Sequence, residues 1–147
     1  MIVDPAVARC KFDRDVRPLI DDPAMFARLG IRALITTYPV LRVGLAWPSR
    51  QTEIGLELRA PDWDYRPPSG DWVLLDGRPL PVAEAPSGNG FQGAHPATGR
   101  PWLCFRGVLE YHEWENHASD PWWPLRGNDS YRLLGFVQNI TSVLRRM

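Results

Sequence analysis

The stretch from Ala33 to Leu75 constrains the fold more than any other part of this chain. Ala33-Leu34-Ile35-Thr36-Thr37-Tyr38 is rich in β-branched and aromatic residues, which suit a pleated, half-buried surface. Val43, Leu45 and Trp47 alternate with smaller or polar neighbours. Ile54, Leu56 and Leu58 then alternate against Glu53, Glu57 and Arg59. That two-residue period belongs to a strand with one face in the core. Trp72-Val73-Leu74-Leu75, ending at Asp76-Gly77, reads as a fourth short strand running into a turn. Pro48-Ser49-Arg50-Gln51 has the residues of a hairpin turn. Four strands in succession, joined by short turns, imply an antiparallel meander.

Helical signals lie on either side of the strands. Asp22 can cap and Pro23 suits the first helical position. Gly30 can end the helix, with Met25, Phe26 and Leu29 on one face. Residues 1–21 mix charged and apolar side chains without a clean period and read as an N-terminal extension. Near the other end, Ser130 or Asp129 caps a helix over 130–146. Its Leu133, Leu134, Phe136, Val137, Ile140, Val143 and Leu144 form a broad apolar stripe. Arg145 and Arg146 suit the negative end of its dipole. The expected architecture is one α+β domain over 1–147: N-terminal helix, four-stranded meander, long loop, and a C-terminal helix packed on the sheet.

Composition excludes several classes. Seventeen basic residues balance seventeen acidic ones, so the excess positive charge of a nucleic-acid-binding surface is missing. No apolar run approaches the ~20 residues of a membrane span. The N-terminus has early acidic residues and no signal-peptide core, so a cytoplasmic protein is expected. In that reducing compartment Cys10 and Cys104 are read as thiols. Sixteen of the seventeen cations are arginine, and Lys11 is the single lysine. A GC-rich genome explains this. So does the removal of lysines that an acyl-transfer enzyme would modify on itself.

From Pro79 to Pro101 the chain is dominated by Gly, Pro and small residues. A structureless stretch of that length inside a compact domain is usually functional. It leads into Trp102-Leu103-Cys104-Phe105. Around it, three local motifs follow one another. Tyr65-Arg66-Pro67-Pro68 comes after the third strand. His95-Pro96 precedes Cys104 by nine residues, with Gly99 between and Leu103 just before the cysteine. Trp122-Trp123-Pro124 precedes the last helix. This succession resembles the ubiquitin-conjugating enzymes. That family has Tyr-Pro-x-x-Pro-Pro after its third strand, then His-Pro-Asn, a glycine, a hydrophobic residue and the catalytic cysteine, and later Trp-x-Pro before a packed helix. The resemblance covers residues 22 to 147 and includes the element order. It departs at Ala97, where the family has the Asn thought to stabilise an oxyanion. It also departs after residue 146, where the family has two further helices. Trimmed bacterial members, encoded beside ubiquitin-like proteins and their activating enzymes and often serving antiviral defence, are similar to this form.

The resemblance implies that Cys104 carries a ubiquitin-like protein as a thioester. The protein would be received from an activating-enzyme-like partner and passed to an acceptor. An accessible thiol suits this step, because a thioester lacks the resonance stabilisation of an amide. No cofactor is implied. Trp102 and Phe105 flank the thiol as possible walls of a groove for an extended tail, and Trp123 joins them as a candidate for substrate contact. The plain alternative for the tryptophans is packing of a long loop onto a small core. His112 is the candidate to replace the missing Asn or to act as base. His95 is counted with Cys104 and His112 among the catalytic-site candidates, with holding its loop through a backbone hydrogen bond as the favoured plain alternative, and His117 is expected to be a solvated loop residue. Cys104 with the three histidines, spaced nine, eight and five residues apart, also raises a zinc reading. The other functional class is an inert binding or scaffold module for a ubiquitin-like protein or activating enzyme.

Overall fold

The computed structural model describes residues 3–147. Asp4 opens the first helix, α1 (Pro5–Asp21), by accepting a hydrogen bond from the Ala6 amide at 2.9 Å. This corrects the reading of residues 1–21 as an unpatterned extension; Met1 and Ile2 lie outside the described residues. Ala8, Phe12, Asp15, Val16 and Leu19 form the buried stripe of α1. Phe12, Val16 and Leu19 each stabilise the fold by about 1.5–3 kcal/mol relative to exposure. The stripe was masked in the sequence by Asp15 at a core position and by Pro18 inside the helix. Asp15 is tolerated because its carboxylate is fully used. Trp63 Nε1 donates to one oxygen at 2.7 Å and Arg14 Nε to the other at 2.9 Å, and Arg132 stands 3.5 Å away.

The helix α2 (Pro23–Arg28) forms as expected, with Asp22 accepting from the Met25 amide. Phe26 is buried and Met25 faces out. Strands β1 (Ile31–Thr37), β2 (Val40–Trp47), β3 (Thr52–Arg59) and β4 (Ser69–Val73) pair in sequence order, all antiparallel. The meander is therefore observed, with its fourth strand starting three residues earlier than its apolar run suggested. On one face Leu41 pairs with Leu58, Val43 with Leu56, and Leu56 with Trp72. Against this face pack α1 and the last helix, α4 (Leu133–Arg145). The other face carries a polar row, Arg42, Glu57 and Asp71 side by side. Glu57 is nearly buried there, held by Arg42 and Arg59 at 3.0 Å each. Gly55 is required on that face: a Cβ would stand 2.6 Å from the Val73 carbonyl oxygen.

Two further expectations are corrected. The loop before Cys104 is not structureless. Phe91–Ala94 (β5) and Pro101–Leu103 (β6) form a separate two-stranded antiparallel sheet. The last helix begins at Leu133, with Arg132 in the cap position and no side-chain cap. The polar cap belongs to the preceding single turn, where Asn128 accepts from the Ser130 amide. The apolar stripe of α4 was read correctly except that Val143 is only half-buried and Thr141 is buried. Thr141 spends its hydroxyl on the Val137 carbonyl at 2.8 Å. No described helix is long and apolar enough to cross a membrane.

Candidate functional site

Cys104 sits directly after β6, where the chain leaves the hairpin and turns toward the short helix α3 (Leu109–His112). The hairpin is anchored by aromatic packing. Trp72 meets Phe91 edge-on at 5.4 Å, and Phe91 meets Phe105 at 4.8 Å. Phe105 therefore ties the residue beside Cys104 into the core. Each such aromatic pair adds about 0.5–1.5 kcal/mol beyond its buried area. Trp102, on the other side of the cysteine, is half-exposed and packs edge-on against His95 at 4.7 Å and Trp114 at 5.0 Å.

The His95-Pro96 turn is self-braced. His95 Nδ1 accepts from the Ala97 amide at 3.0 Å, and the His95 backbone bonds to Arg100 and Gly99. Its role is the loop-holding one expected from the sequence. His112 is also a brace. Its Nε2 accepts from the Gly107 amide at 3.0 Å, which puts the proton on Nδ1, and Nδ1–H donates to the Asp120 carbonyl at 2.9 Å. In this arrangement neither nitrogen is free to act on Cys104 unless a backbone contact opens. Burial lowers the His112 pKa, in keeping with a neutral ring. Gly107 is held at φ +116°, and a Cβ there would stand 2.9 Å from the Phe136 ring. His117 is not a free loop residue: it stacks on Tyr111 at 3.8 Å and bonds the Tyr111 carbonyl. The four zinc-reading residues do not converge; among the described residues no three metal-ligating side chains cluster.

Asp120 closes the segment that follows Cys104. Arg106 grips its carboxylate with two nitrogens at 2.8 and 2.9 Å, and Tyr111 donates its hydroxyl to it at 2.8 Å. Arg106 holds the Asp120 pKa below the usual carboxylate range. Burial, and then the bond to Asp120, push the Tyr111 phenol up to about 12. Tyr111, Arg106 and Asp120 are the site residues that sequence reasoning missed. Their one signal was adjacency to His112 and Cys104 in the chain.

Cys104 is half-buried and unpaired, and Cys10 is an exposed thiol on α1. Burial alone pushes the Cys104 thiol up, with no cation lowering it. The resting group is the protonated thiol. Trp122 and Trp123 divide the Trp-Trp-Pro motif between them. Trp122 is buried, packs on Trp63 at 5.9 Å and donates its indole N–H to the Asp64 carbonyl at 2.9 Å. Trp123 is 72% exposed, the largest apolar side chain left to solvent. Lys11 pairs with the Asp64 carboxylate at 2.8 Å.

No protein-family model matches this sequence. The chain is similar to the protein y4jH of Sinorhizobium fredii (strain NBRC 101917 / NGR234), described as uncharacterized. The two are 26% identical over 156 aligned positions, which cover 86% of this chain and 76% of the relative.

Proposed function

We propose that this chain is a ubiquitin-conjugating-enzyme-like transferase that carries a ubiquitin-like protein as a thioester on Cys104. The observation that supports it best is the position of Cys104. It is half-exposed and directly follows the β5–β6 hairpin, whose other end is the self-braced His95-Pro96 turn, between the four-stranded meander and the last helix. In this reading an activating-enzyme-like partner presents the acyl group, and transfer to Cys104 releases the partner's thiol. An acceptor nucleophile then displaces Cys104. The raised thiol pKa leaves deprotonation to groups of the partner or acceptor. Ala97 gives no side-chain donor for the oxyanion, so stabilisation falls to backbone N–H groups. His112 contributes by fixing the 104–120 segment. The work is that of a cytoplasmic, bacterial conjugation system, including those of antiviral defence.

The test is a charging assay with the cognate activating enzyme, ubiquitin-like protein and ATP. An adduct removed by thiol reductant is expected, and Cys104→Ala should abolish it. An adduct that persists in Cys104→Ala overturns the assignment. Binding of either partner at undiminished affinity, with no adduct ever trapped, assigns the inert scaffold reading instead. That second reading draws on Ala97 and on the lack of a free base at the thiol.

A further inference from the structure

The balance of seventeen basic and seventeen acidic residues hides an uneven distribution. Most cations of this chain stand within ion-pair distance of a carboxylate, as Arg32 does with Glu53 and Arg106 with Asp120, each at 2.8 Å. Arg28, Arg50, Arg145 and Arg146 are exposed and, among the described residues, form no ion pair. They gather at one end of the molecule. Arg145 ends α4 and donates to the carbonyl of Arg28, the last residue of α2, at 3.4 Å. Arg146 follows it. Arg50 lies on the single turn Pro48–Arg50, which packs on α4, with its guanidinium 5.4 Å from the centre of the Trp47 ring. A hollow of about 160 Å³ opens beside Arg145, lined by Leu29, Gln138 and Ser142 over buried Ile31 and Thr141.

Like charges held together repel one another. The negative end of the α4 dipole amounts to roughly half a charge, too little to neutralise four guanidinium groups. A partner carrying carboxylates would do so, because a guanidinium fork meets a carboxylate through two parallel hydrogen bonds. The hollow between the cations has room for one aliphatic side chain. A nucleic-acid strand fits less well, since it draws on open aromatic faces for base stacking. Trp47 is only 7% exposed and lies under Arg50. We infer that this end of the molecule docks an acidic segment of a partner protein. Its carboxylates meet Arg28, Arg145 and Arg146, with Arg50 beside them, and one aliphatic side chain enters the hollow. The surface is separate from the chemistry proposed at Cys104.

The experiment titrates the ¹⁵N-labelled full chain with the end-blocked peptide Glu-Glu-Leu-Asp-Glu-Glu at about 10 mM salt, where charges act over ~30 Å. Amides of Leu29, Ile31 and Ser142 should shift saturably. Those around Tyr38, at the far end of β1, should not. Arg28→Gln combined with Arg145→Gln should weaken binding about tenfold, the loss of two exposed ion pairs. Arg9→Gln, on α1 against the Tyr38 ring, should leave it unchanged. Replacing the leucine of the peptide by serine should weaken it about fivefold or more. No saturable shift at about 5 mM peptide overturns the inference, as do shifts spread over both ends of the sheet or an equal loss on Arg9→Gln. A thymidine hexanucleotide or the serine peptide binding as tightly as the leucine peptide also overturns it, since either would mark a plain polyanion surface.

Discussion

The two halves of this molecule are held together by different physics. The sheet with α1 and α4 is an apolar sandwich in which Leu41, Val43, Leu56, Leu58 and Trp72 are fully or almost fully buried. The segment from Pro101 to Asp120 buries little apart from Pro101, Leu103 and Val108. It is shaped by side chains bonding to backbone: His112 to Gly107 and Asp120, His117 to Tyr111, and Glu110 to Gly70. Apolar packing is non-directional and proportional to area. Each of these polar contacts is directional and of modest net worth, about 0.5–1.5 kcal/mol. The first half should therefore set global stability, and the second should set local geometry at Cys104 and be able to loosen on its own.

The largest expected effect is in the sandwich. Leu56→Ala removes a fully buried side chain paired with Val43 and Trp72, and should cost about 2–5 kcal/mol in urea unfolding. A cost below 1 kcal/mol would mean the sheet core is not where stability resides.

His112→Ala should cost less, about 1–2 kcal/mol for two backbone partners left unpaired. Amide exchange should accelerate at Gly107 while amides of β2 and β3 stay protected. Protection lost equally in both places would erase the distinction between the halves. The same residue gives a pH signature. Its folded pKa is depressed, so the folded state binds fewer protons than the unfolded one below the ordinary histidine value. The stability it contributes is present above that value, ~6.5, and is lost as pH falls through the folded pKa. Protonating Nε2 takes the acceptor from Gly107. Acidification should thus release the 104–120 segment before the sheet, and His112→Ala should remove that early step.

The smallest effect on stability belongs to Trp123. With 72% of its surface in solvent, Trp123→Ala should change the unfolding free energy by less than about 0.5 kcal/mol. If it contacts a partner, charging or binding falls while stability holds. A large stability loss would instead make it a core residue of the second half.

Periodicity carried the reading wherever burial is one-sided. The second and third strands were legible from alternation, the first and fourth from β-branched, aromatic and apolar runs, and α4 from its broad apolar stripe. Cys104 and the His95-Pro96 turn were found through motif order and not through pattern. Helix α1 was missed because its stripe is completed by Asp15, whose place in the core depends on Trp63, forty-eight residues away in the chain. No local rule sees that partner. The β5–β6 hairpin was missed because Gly and Pro mask a pairing that aromatic packing from Trp72, Phe91 and Phe105 supports.

By itself, then, the sequence determined the meander, the final helix and the thiol to examine, because local periodicity and order along the chain encode them. Only the tertiary structure decided what surrounds that thiol. It turned His112 from a candidate base into a brace and brought Arg106, Asp120 and Tyr111 together. A hydrogen bond depends on distances of a few tenths of an ångström between residues remote in sequence, and those distances exist only once the chain has packed.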